Sequence, residues 1–388
     1  FTASKRYTAK ILQKALDEIN NGVLSVYKAS KLYQIPNQTL YDKLNNRHTK
    51  KLIPGAPTVL KPGEEVVIKE WILKITDAGF IVSRRLLSQS AAKFVTEPDQ
   101  PDKLRDQLSR SWLLSFLKRY PIIKERVVKT FNASRICATA TEVKAWFKQV
   151  SSYLKANNLF DVLEDPSRIF HLDESAYYIG PKGQSVLVKK GIKNEFCKYG
   201  TVVKETLTLA LGASADGKLM PTFAIFPSKG LPNMDKYPLN WACAGSDNRW
   251  MTPENFYEYM AHVFNPVLVT EGIKKPVILF LDGHVAYLSL EVTKFCRENG
   301  IVLMALIPSS NYILHPLEKA IFQHLKDSWR NHVHAWRKDN NNGILPQENF
   351  GTILEGCINE TITPDMIQAG FRNSGIYPFD ENAVVYSE

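Results

Sequence analysis

The segment VILFLDGH, Val277–His284, is the stretch around which the rest of the chain is organised. Its five apolar residues end abruptly at Asp282-Gly283-His284. This is the pattern of a buried strand that carries a carboxylate to the edge of a sheet. Active sites of open α/β sheets lie at such edges. The segment therefore predicts an α/β domain with Asp282 in its active site.

Two more carboxylates follow apolar runs. Asp173 comes after the run 167–172, where Glu174 competes for the same position, and Glu318 stands in a predicted helix, 316–336, after the run 301–307. Metal-assisted phosphodiester cleavage needs carboxylates that are distant in sequence and convergent in space, because Mg²⁺ prefers oxygen ligands. Taken singly, each acid could equally be a helix or turn cap.

The three acids come in the order expected of a ribonuclease-H-like nuclease core. Clustered carboxylates require a cation or raised pKa values. We therefore expect Asp173, Asp282 and Glu318 to bind Mg²⁺ or Mn²⁺ and to cut DNA. For His284 we expect a structural hydrogen bond, with orientation of Asp282 or a phosphate as the alternative.

The order of strand-like and helix-like segments from residue 167 onward predicts a mixed α/β sheet, with antiparallel strands first and then alternating strands and helices. Strands are predicted at 167–172, 185–188, 205–213, 220–226, 277–281 and 301–307, and helices at 253–271, 288–299 and 316–336.

The net positive charge of the chain comes from its first third. The net charge of the whole is +10, but residues 1–136 hold 25 Lys and Arg against 12 Asp and Glu (+13), and the remainder holds 24 against 27 (−3). This asymmetry indicates a polyanion-binding region joined to a near-neutral body. A merely basic surface is the alternative reading.

The cysteines and the apolar runs narrow the cellular setting. The five cysteines are scattered and never form a CxxC pair, so we expect a reducing compartment and no structural zinc site. No apolar run is long enough to predict a membrane span. The chain begins at Phe1 without a leader pattern, and we expect it to lack its true start.

Two helix-turn-helix units are predicted in the basic region. The first has helices at 7–19, 25–33 and 38–44, and the second, after the Pro-Gly linker 54–57, has helices at 62–76, 82–94 and 109–120. The polar and basic side chains that could contact DNA are Asn37, Gln38, Thr39, Tyr41, Lys43, Arg47, Lys50, Lys51, Arg84, Arg85, Lys118 and Arg119. Tyr41 and Lys43 could instead be packing and solvated residues.

Four motifs resemble the DDE superfamily domain of pogo and Tigger-type transposases and their jerky and centromere-protein-B relatives. They are HLDES (171–175), LDGH (281–284), HPLEKAIFQHLK (315–326) and AGFRNSGIYPFD (369–380). The front resembles that family's pipsqueak-type unit, about 7–48, and its centromere-protein-B-type unit, about 58–128. The family carries its first two acids where Asp173 and Asp282 stand. Its third is usually Asp in a QPLD-like turn, where this chain has Glu318 in HPLE.

The resemblance implies a multidomain chain. We expect all-α helix-turn-helix domains at 1–53 and 54–136, a linker helix at 137–166 and an α/β ribonuclease-H-like DDE domain at 167–388. It further implies double-stranded DNA as partner, at terminal inverted repeats or sites derived from them, a homodimer and a nuclear location. Two functions stay open: an active transposase, and a DNA-binding protein derived from one that uses the C-terminal body as a dimerisation or partner scaffold.

Overall fold

The computed structural model describes residues 7–45, 60–94, 110–125, 138–178, 206–227, 231–283, 288–308, 310–341, 343 and 345–384. The chain forms two compact units, Phe1–Thr58 and Val59–Glu388. The predicted strand at 185–188 lies outside the described residues.

The first unit is a three-helix bundle made of α1 (Ala9–Asn20), α2 (Val26–Tyr33) and α3 (Asn37–Leu44). The Ser25 hydroxyl caps α2 by accepting from the backbone N–H of Lys28. Gln34 takes a left-handed conformation (φ 52°) and turns the chain into α3. The core is small, with Ala15, Ala29, Ile35 and Leu40 buried at its centre. These are the three helices that the sequence predicts.

The second unit is built on a six-stranded sheet in the order β4-β3-β2-β1-β5-β6. β1 pairs antiparallel with β2 and parallel with β5, β2 pairs antiparallel with β3, and the pairs β3–β4 and β5–β6 are parallel. The strands are β1 (Ile169–Tyr178), β2 (Thr206–Ser214), β3 (Phe223–Phe226), β4 (Ala242–Gly245), β5 (Val277–Asp282) and β6 (Ile301–Leu306). The predicted mixed sheet is confirmed, and β4 is an additional edge strand.

Helices accompany the sheet. In the described residues before the sheet, these helices are α4 (Pro62–Asp77), α5 (Arg84–Phe94), α6 (Arg110–Arg119) and α7 (Ala140–Ala156). Between β4 and β5 lie α8 (Pro253–Tyr259), a π-helical turn (Met260–Phe264) and α9 (Asn265–Thr270). The rest are α10 (Leu290–Glu298), α11 (Asn311–Leu314), a second π-helical turn (Glu318–Phe322), α12 (Gln323–Asp339), α13 (Gln347–Thr361) and α14 (Pro364–Asn373).

The second helix-turn-helix region, which contributes α4 to α6, shares one hydrophobic core with the sheet. Trp71 on α4 is 5% exposed, and its indole N–H donates to the hydroxyl of Thr293 on α10 (3.2 Å). The outer edge of β6 is hydrogen-bonded at Ala305, whose N–H donates to the carbonyl of Ala78 and whose carbonyl accepts from the indole of Trp146 on α7. These contacts satisfy edge groups of a strand that would otherwise face solvent.

Candidate active site

Asp173 and Asp282 lie on neighbouring parallel strands. β1 and β5 pair up to Leu172 opposite Leu281, so the next residue of each strand is an aspartate. Asp173 was predicted to end its strand, but β1 continues to Tyr178 because it pairs with β2 along its whole length. Asp173 therefore stands in mid-strand, paired with Leu211 of β2, which restricts the position of its carboxylate.

The strand alternation separates Asp173 from its neighbour Glu174. Successive side chains of a strand point to opposite faces, and the Glu174 carboxylate accepts a hydrogen bond from the backbone N–H of Met251 (3.0 Å). Asp173 shares its face with His171 and faces His315 instead. Glu174 is thus engaged elsewhere, and Asp173 remains the candidate for the first acid.

His315 binds Asp173 directly. Its Nδ1 lies 2.9 Å from Oδ2 of Asp173, and the other carboxylate oxygen accepts from the backbone N–H of Glu174 (2.9 Å). Both residues are buried, His315 at 0% and Asp173 at 8% exposure. In the sequence, His315 is visible only as the residue that replaces Gln of the QPLD-like turn, and its contact with Asp173 was not predicted.

The charges of the cluster shift its pKa values in opposite directions. Burial alone would raise the pKa of Asp173, but the charge and hydrogen bond of His315 outweigh it and lower that pKa. Burial would likewise lower the pKa of His315, but the carboxylates of Asp173, Asp282 and Glu318 raise it. The acids all act on one imidazole, which indicates that the three predicted acids converge around it.

Glu318 completes the acidic group at the first residue of a π-helical turn, Glu318–Phe322. Burial raises the pKa of its carboxyl group; Lys326 opposes that rise and Asp173 adds to it. π-Helical turns inside helices are frequent at functional sites. The predicted helix 316–336 is therefore present, but its first turn is wider than an α-helical one.

The C-terminal motif 369–380 supports the segment that carries Glu318. Gly370 on α14 packs so closely that a Cβ there would lie 2.5 Å from the carbonyl oxygen of Pro316. The ammonium of Lys319 donates to the carbonyl of Asn373 at the end of the same helix (2.9 Å). Any side chain at 370 would clash with the backbone two residues before Glu318, so this motif supports the segment that carries the predicted third acid.

Sequence reasoning missed His171 as a member of this group. His171 is fully buried two residues before Asp173, and burial lowers its pKa to about 3. One ligand atom each from His171, Asp173 and His315 lies within 4.8 Å of the others. The period of two residues along a strand is the signal that could have placed His171 beside Asp173. No local pattern could have added His315, which lies 142 residues away from Asp173.

The donor atoms at this place suit a divalent cation. Asp173, Asp282 and Glu318 offer carboxylate oxygens, which Mg²⁺ and Mn²⁺ accept. The half-buried Glu318, with its raised pKa, is held beside like charge, a situation that a cation would relieve. The residues present therefore fit a divalent metal, and their individual roles stay predictions. His284 lies outside the described residues.

The predicted DNA contacts of the first unit lie on and after α3. Asn37, Gln38, Tyr41 and Lys43 are exposed, and Thr39 is partly exposed. The Gln38 amide donates to Asp42 along the helix (2.9 Å). Arg47, Lys50 and Lys51 lie outside the described residues. One polar face of α3 is thus open to solvent, as a DNA-reading helix requires.

The predicted DNA contacts of the second helix-turn-helix region differ in their surroundings. Arg85 and Lys118 are exposed. Arg84 is hydrogen-bonded to Glu125. The Arg119 guanidinium donates to the buried carboxylate of Glu65 through two nitrogens, from Nε to Oε2 (2.8 Å) and from Nη2 to Oε1. The pairing of Arg119 favours a structural role for that residue over contact with a phosphate.

Three family models match the chain. The model "DDE superfamily endonuclease" matches residues 204–371, "helix-turn-helix, Psq domain" matches 8–52, and "Tc5 transposase DNA-binding domain" matches 62–126. The sheet and the two helical regions agree with these matches: residues 204–371 are similar to a DDE superfamily endonuclease, and two regions before them are similar to a Psq helix-turn-helix and to a transposase DNA-binding domain. The predicted resemblance to pogo and Tigger-type transposases is consistent with them.

Curated relatives are distant and longer. "MFS-type transporter clz9" of Cochliobolus lunatus is 22% identical over 94% of this chain and 35% of its own length. "Tigger transposable element-derived protein 4" of Mus musculus is 25% identical over 50% of this chain and 37% of its own length. The chain therefore spans less than two fifths of the length of these relatives.

Among solved structures, a pre-cleavage Mos1 transpososome is 11% identical, with a TM-score of 0.42 over the whole of both chains. A Mos1 mariner paired-end complex with Mn is 11% identical, with a TM-score of 0.41 over 98% of this chain and 99% of that one. This level of similarity assigns no residue a role.

None of the described helices combines the length and the apolar composition that crossing a bilayer requires.

Proposed function

We propose that this protein is a pogo or Tigger-type transposase that binds the ends of a DNA element and cleaves strands there with Asp173, Asp282 and Glu318. Two features support the proposal: Asp173 and Asp282 each follow the last paired residue of β1 and β5, and the carboxylates of Asp173, Asp282 and Glu318 all raise the pKa of the buried His315. Separate acids from two strands and a helix are what metal-assisted phosphodiester cleavage requires.

In this proposal the front of the chain selects the DNA. The Psq domain would place the exposed face of α3 in the major groove, with Asn37, Thr39 and Tyr41 toward base edges and Lys43 toward a phosphate. Arg47, Lys50 and Lys51 would extend the phosphate contacts. Arg84, Arg85, Lys118 and Arg119 stay predicted phosphate contacts of the second domain, with Arg119 the weakest candidate because it already binds Glu65.

The chemistry would take place at the edge of β1 and β5. Asp173 and Asp282 would hold Mg²⁺ or Mn²⁺, which supplies charge stabilisation for the attacking and leaving oxygens of the phosphodiester. Glu318 would serve as the third ligand, held in place by the packing of Gly370 against Pro316. His315 would fix the rotamer of Asp173 through its hydrogen bond.

Two coarser properties accompany this function. A protein acting on chromosomal DNA would be nuclear, and cleavage at paired element ends would use a homodimer. Both are proposals that follow from the function and would be checked by localisation of the tagged full-length protein and by its mass in solution.

The test is strand cleavage of a labelled duplex carrying the element's terminal repeat, in Mn²⁺, by the wild type and by Asp173→Asn, Asp282→Asn and Glu318→Gln. We expect cleavage to fall by at least about 100-fold in each variant, while affinity for the duplex stays within about twofold. Glu174→Gln is the matched control, since its amide oxygen can still accept from Met251. Equal loss in the control would show that the face of β1 is irrelevant.

A second function is favoured by one observation. The Asp173 carboxylate already has a hydrogen-bond partner in His315, whose pKa that carboxylate raises; this arrangement would suit a DNA-binding protein that no longer cleaves and uses the sheet domain as a scaffold. Wild-type protein that binds the duplex but leaves it intact in both Mn²⁺ and Mg²⁺ would establish this alternative.

A further inference from the structure

Two buried imidazoles lie beside Asp173. His171 and His315 are each 0% exposed, and their ring centroids lie 5.3 Å apart in an edge-to-face arrangement (84°). Both ring nitrogens of His171 and the Nε2 of His315 have no hydrogen-bond partner among the described residues. Buried polar atoms without partners cost free energy and require an explanation.

The contact between Asp173 and His315 brings two possible ligand atoms together. Nδ1 of His315 lies 2.9 Å from Oδ2 of Asp173, so an ion bound by both atoms would take the place of the proton that they share. His171 contributes the second imidazole on the same face of β1.

The donor set differs from that of the three acids. Two imidazoles and one carboxylate, with one atom of each within 4.8 Å of the others, favour zinc-like transition ions, whereas Mg²⁺ prefers oxygen ligands and retains waters. Both rings are fully buried, whereas Asp282 and Glu318 are partly exposed and could meet a substrate.

We propose that His171, Asp173 and His315 bind a borderline transition-metal ion of the Zn²⁺ or Co²⁺ type at a buried site that shares Asp173 with the candidate catalytic carboxylates. The ion would join β1 to the segment that precedes Glu318, and so set the distance between the first and the third acid. The inference goes beyond the proposed function, since the site needs no DNA and no cleavage.

The test uses the full-length protein, freed of metal by a chelator, and Co²⁺ as the probe. Nitrogen ligation gives Co²⁺ a visible absorption band, which we expect to saturate at one equivalent. Zn²⁺ should abolish this band at equimolar concentration, and excess Mg²⁺ should leave it unchanged. Zn²⁺, but not Mg²⁺, should also raise the melting temperature of the wild type, a measurement that needs no variant.

The variant His315→Gln removes the oriented imidazole and retains a polar side chain. We expect Co²⁺ binding to weaken by more than about 100-fold, because loss of a mere supporting partner of a metal ligand already costs about 10–100-fold. The matched control is His262→Gln, because His262 also lies beside a carboxylate, Glu258 (3.1 Å), but is exposed. Circular dichroism of both variants verifies that they fold.

Three results would overturn the inference: equal Co²⁺ affinity in wild type and His315→Gln, displacement of Co²⁺ by Mg²⁺, or a wild type without a Co²⁺ band. Each would leave His315 and Asp173 as an ion pair without a metal. A wild type that shows the Co²⁺ band but does not cleave DNA would reject the proposed function and retain this site. The two failures are therefore distinguishable.

Discussion

The two helix-turn-helix regions of this chain belong to the same structural class but are built into the protein differently. The first, in residues 1–58, closes its own core around four small or medium apolar side chains. The second places its aromatic residues in the core of the sheet domain. The first region is therefore a separate module, whereas the second is also a wall of the domain that carries the candidate active site.

The same difference holds for the charged residues. On α3 the predicted DNA contacts face solvent, while in the second region Arg119 neutralises the buried carboxylate of Glu65. A basic residue can thus stabilise the fold rather than contact a phosphate, and sequence alone does not separate the two roles. The variants described next distinguish them, from the largest expected effect to the smallest.

Removing Trp71 should disturb the sheet domain and not only its own helix. We expect Trp71→Ala to lower the free energy of unfolding of the second unit by about 3–5 kcal/mol, since it opens a cavity between α4 and α10. Denaturant unfolding measures this effect, and hydrogen exchange should show faster exchange at β6. Leu40→Ala in the first unit is the control, because its cavity should leave exchange at β6 unchanged. Unaltered exchange at β6 in Trp71→Ala would contradict the integration of the second region.

Removing Arg119 should act mainly on stability. Arg119→Ala leaves Glu65, which is 3% exposed, without its partner, and we expect a loss of about 3 kcal/mol, the low end for a broken buried pair because the Arg119 side chain is 36% exposed. Lys118→Ala, one residue earlier and exposed, should change stability by less than about 0.5 kcal/mol. Chemical denaturation and DNA titration on the same preparations would compare them. A stable Arg119→Ala with weakened DNA binding would make Arg119 a DNA contact after all.

Changes on α3 should act mainly on DNA. Asn37→Ala and Tyr41→Ala should each weaken binding to the element's end by about 1–3 kcal/mol, as expected for side chains that read base edges. Melting temperatures should stay the same, because both side chains are exposed. Gln13→Ala on α1, also exposed, is the control for surface changes in this unit. Equal affinity of all three variants, measured by fluorescence anisotropy, would remove α3 as the reading helix.

Sequence patterns predicted most of the helices and strands but not their details. The helices α1 to α7 follow from apolar spacing and caps such as Ser25 and Thr139, because these signals are local. β4, with the sequence Ala-Cys-Ala-Gly, was missed because small residues carry no strand propensity and only pairing with β3 forms it. α13 and α14 were not predicted as helices either. The π-helical turn Glu318–Phe322 lies where Gly370 packs against Pro316 and Ala320, a contact between distant residues that no local pattern records.

The candidate site divides in the same way. The abrupt ends of two apolar runs singled out Asp173 and Asp282, and the helix predicted after the run 301–307 added Glu318; their roles stay predictions. Glu174 competed with Asp173 for the first acid in the sequence. The alternation of side chains along β1 places Glu174 on the opposite face, where its carboxylate accepts from the N–H of Met251. His171 and His315 came only from the folded chain, where strand pairing and the turn before Glu318 bring them together.

By itself, the sequence determined the class of the protein: a basic helical front, a mixed sheet and acids at the ends of apolar runs, because charge, hydrophobic period and turn chemistry are local properties. Tertiary structure decided which residues meet. The pairing of β1 with β5 sets Asp173 beside Asp282. The shared hydrophobic core makes the second helix-turn-helix region part of the sheet domain. Contacts between residues far apart in sequence arise from packing, which no local pattern encodes.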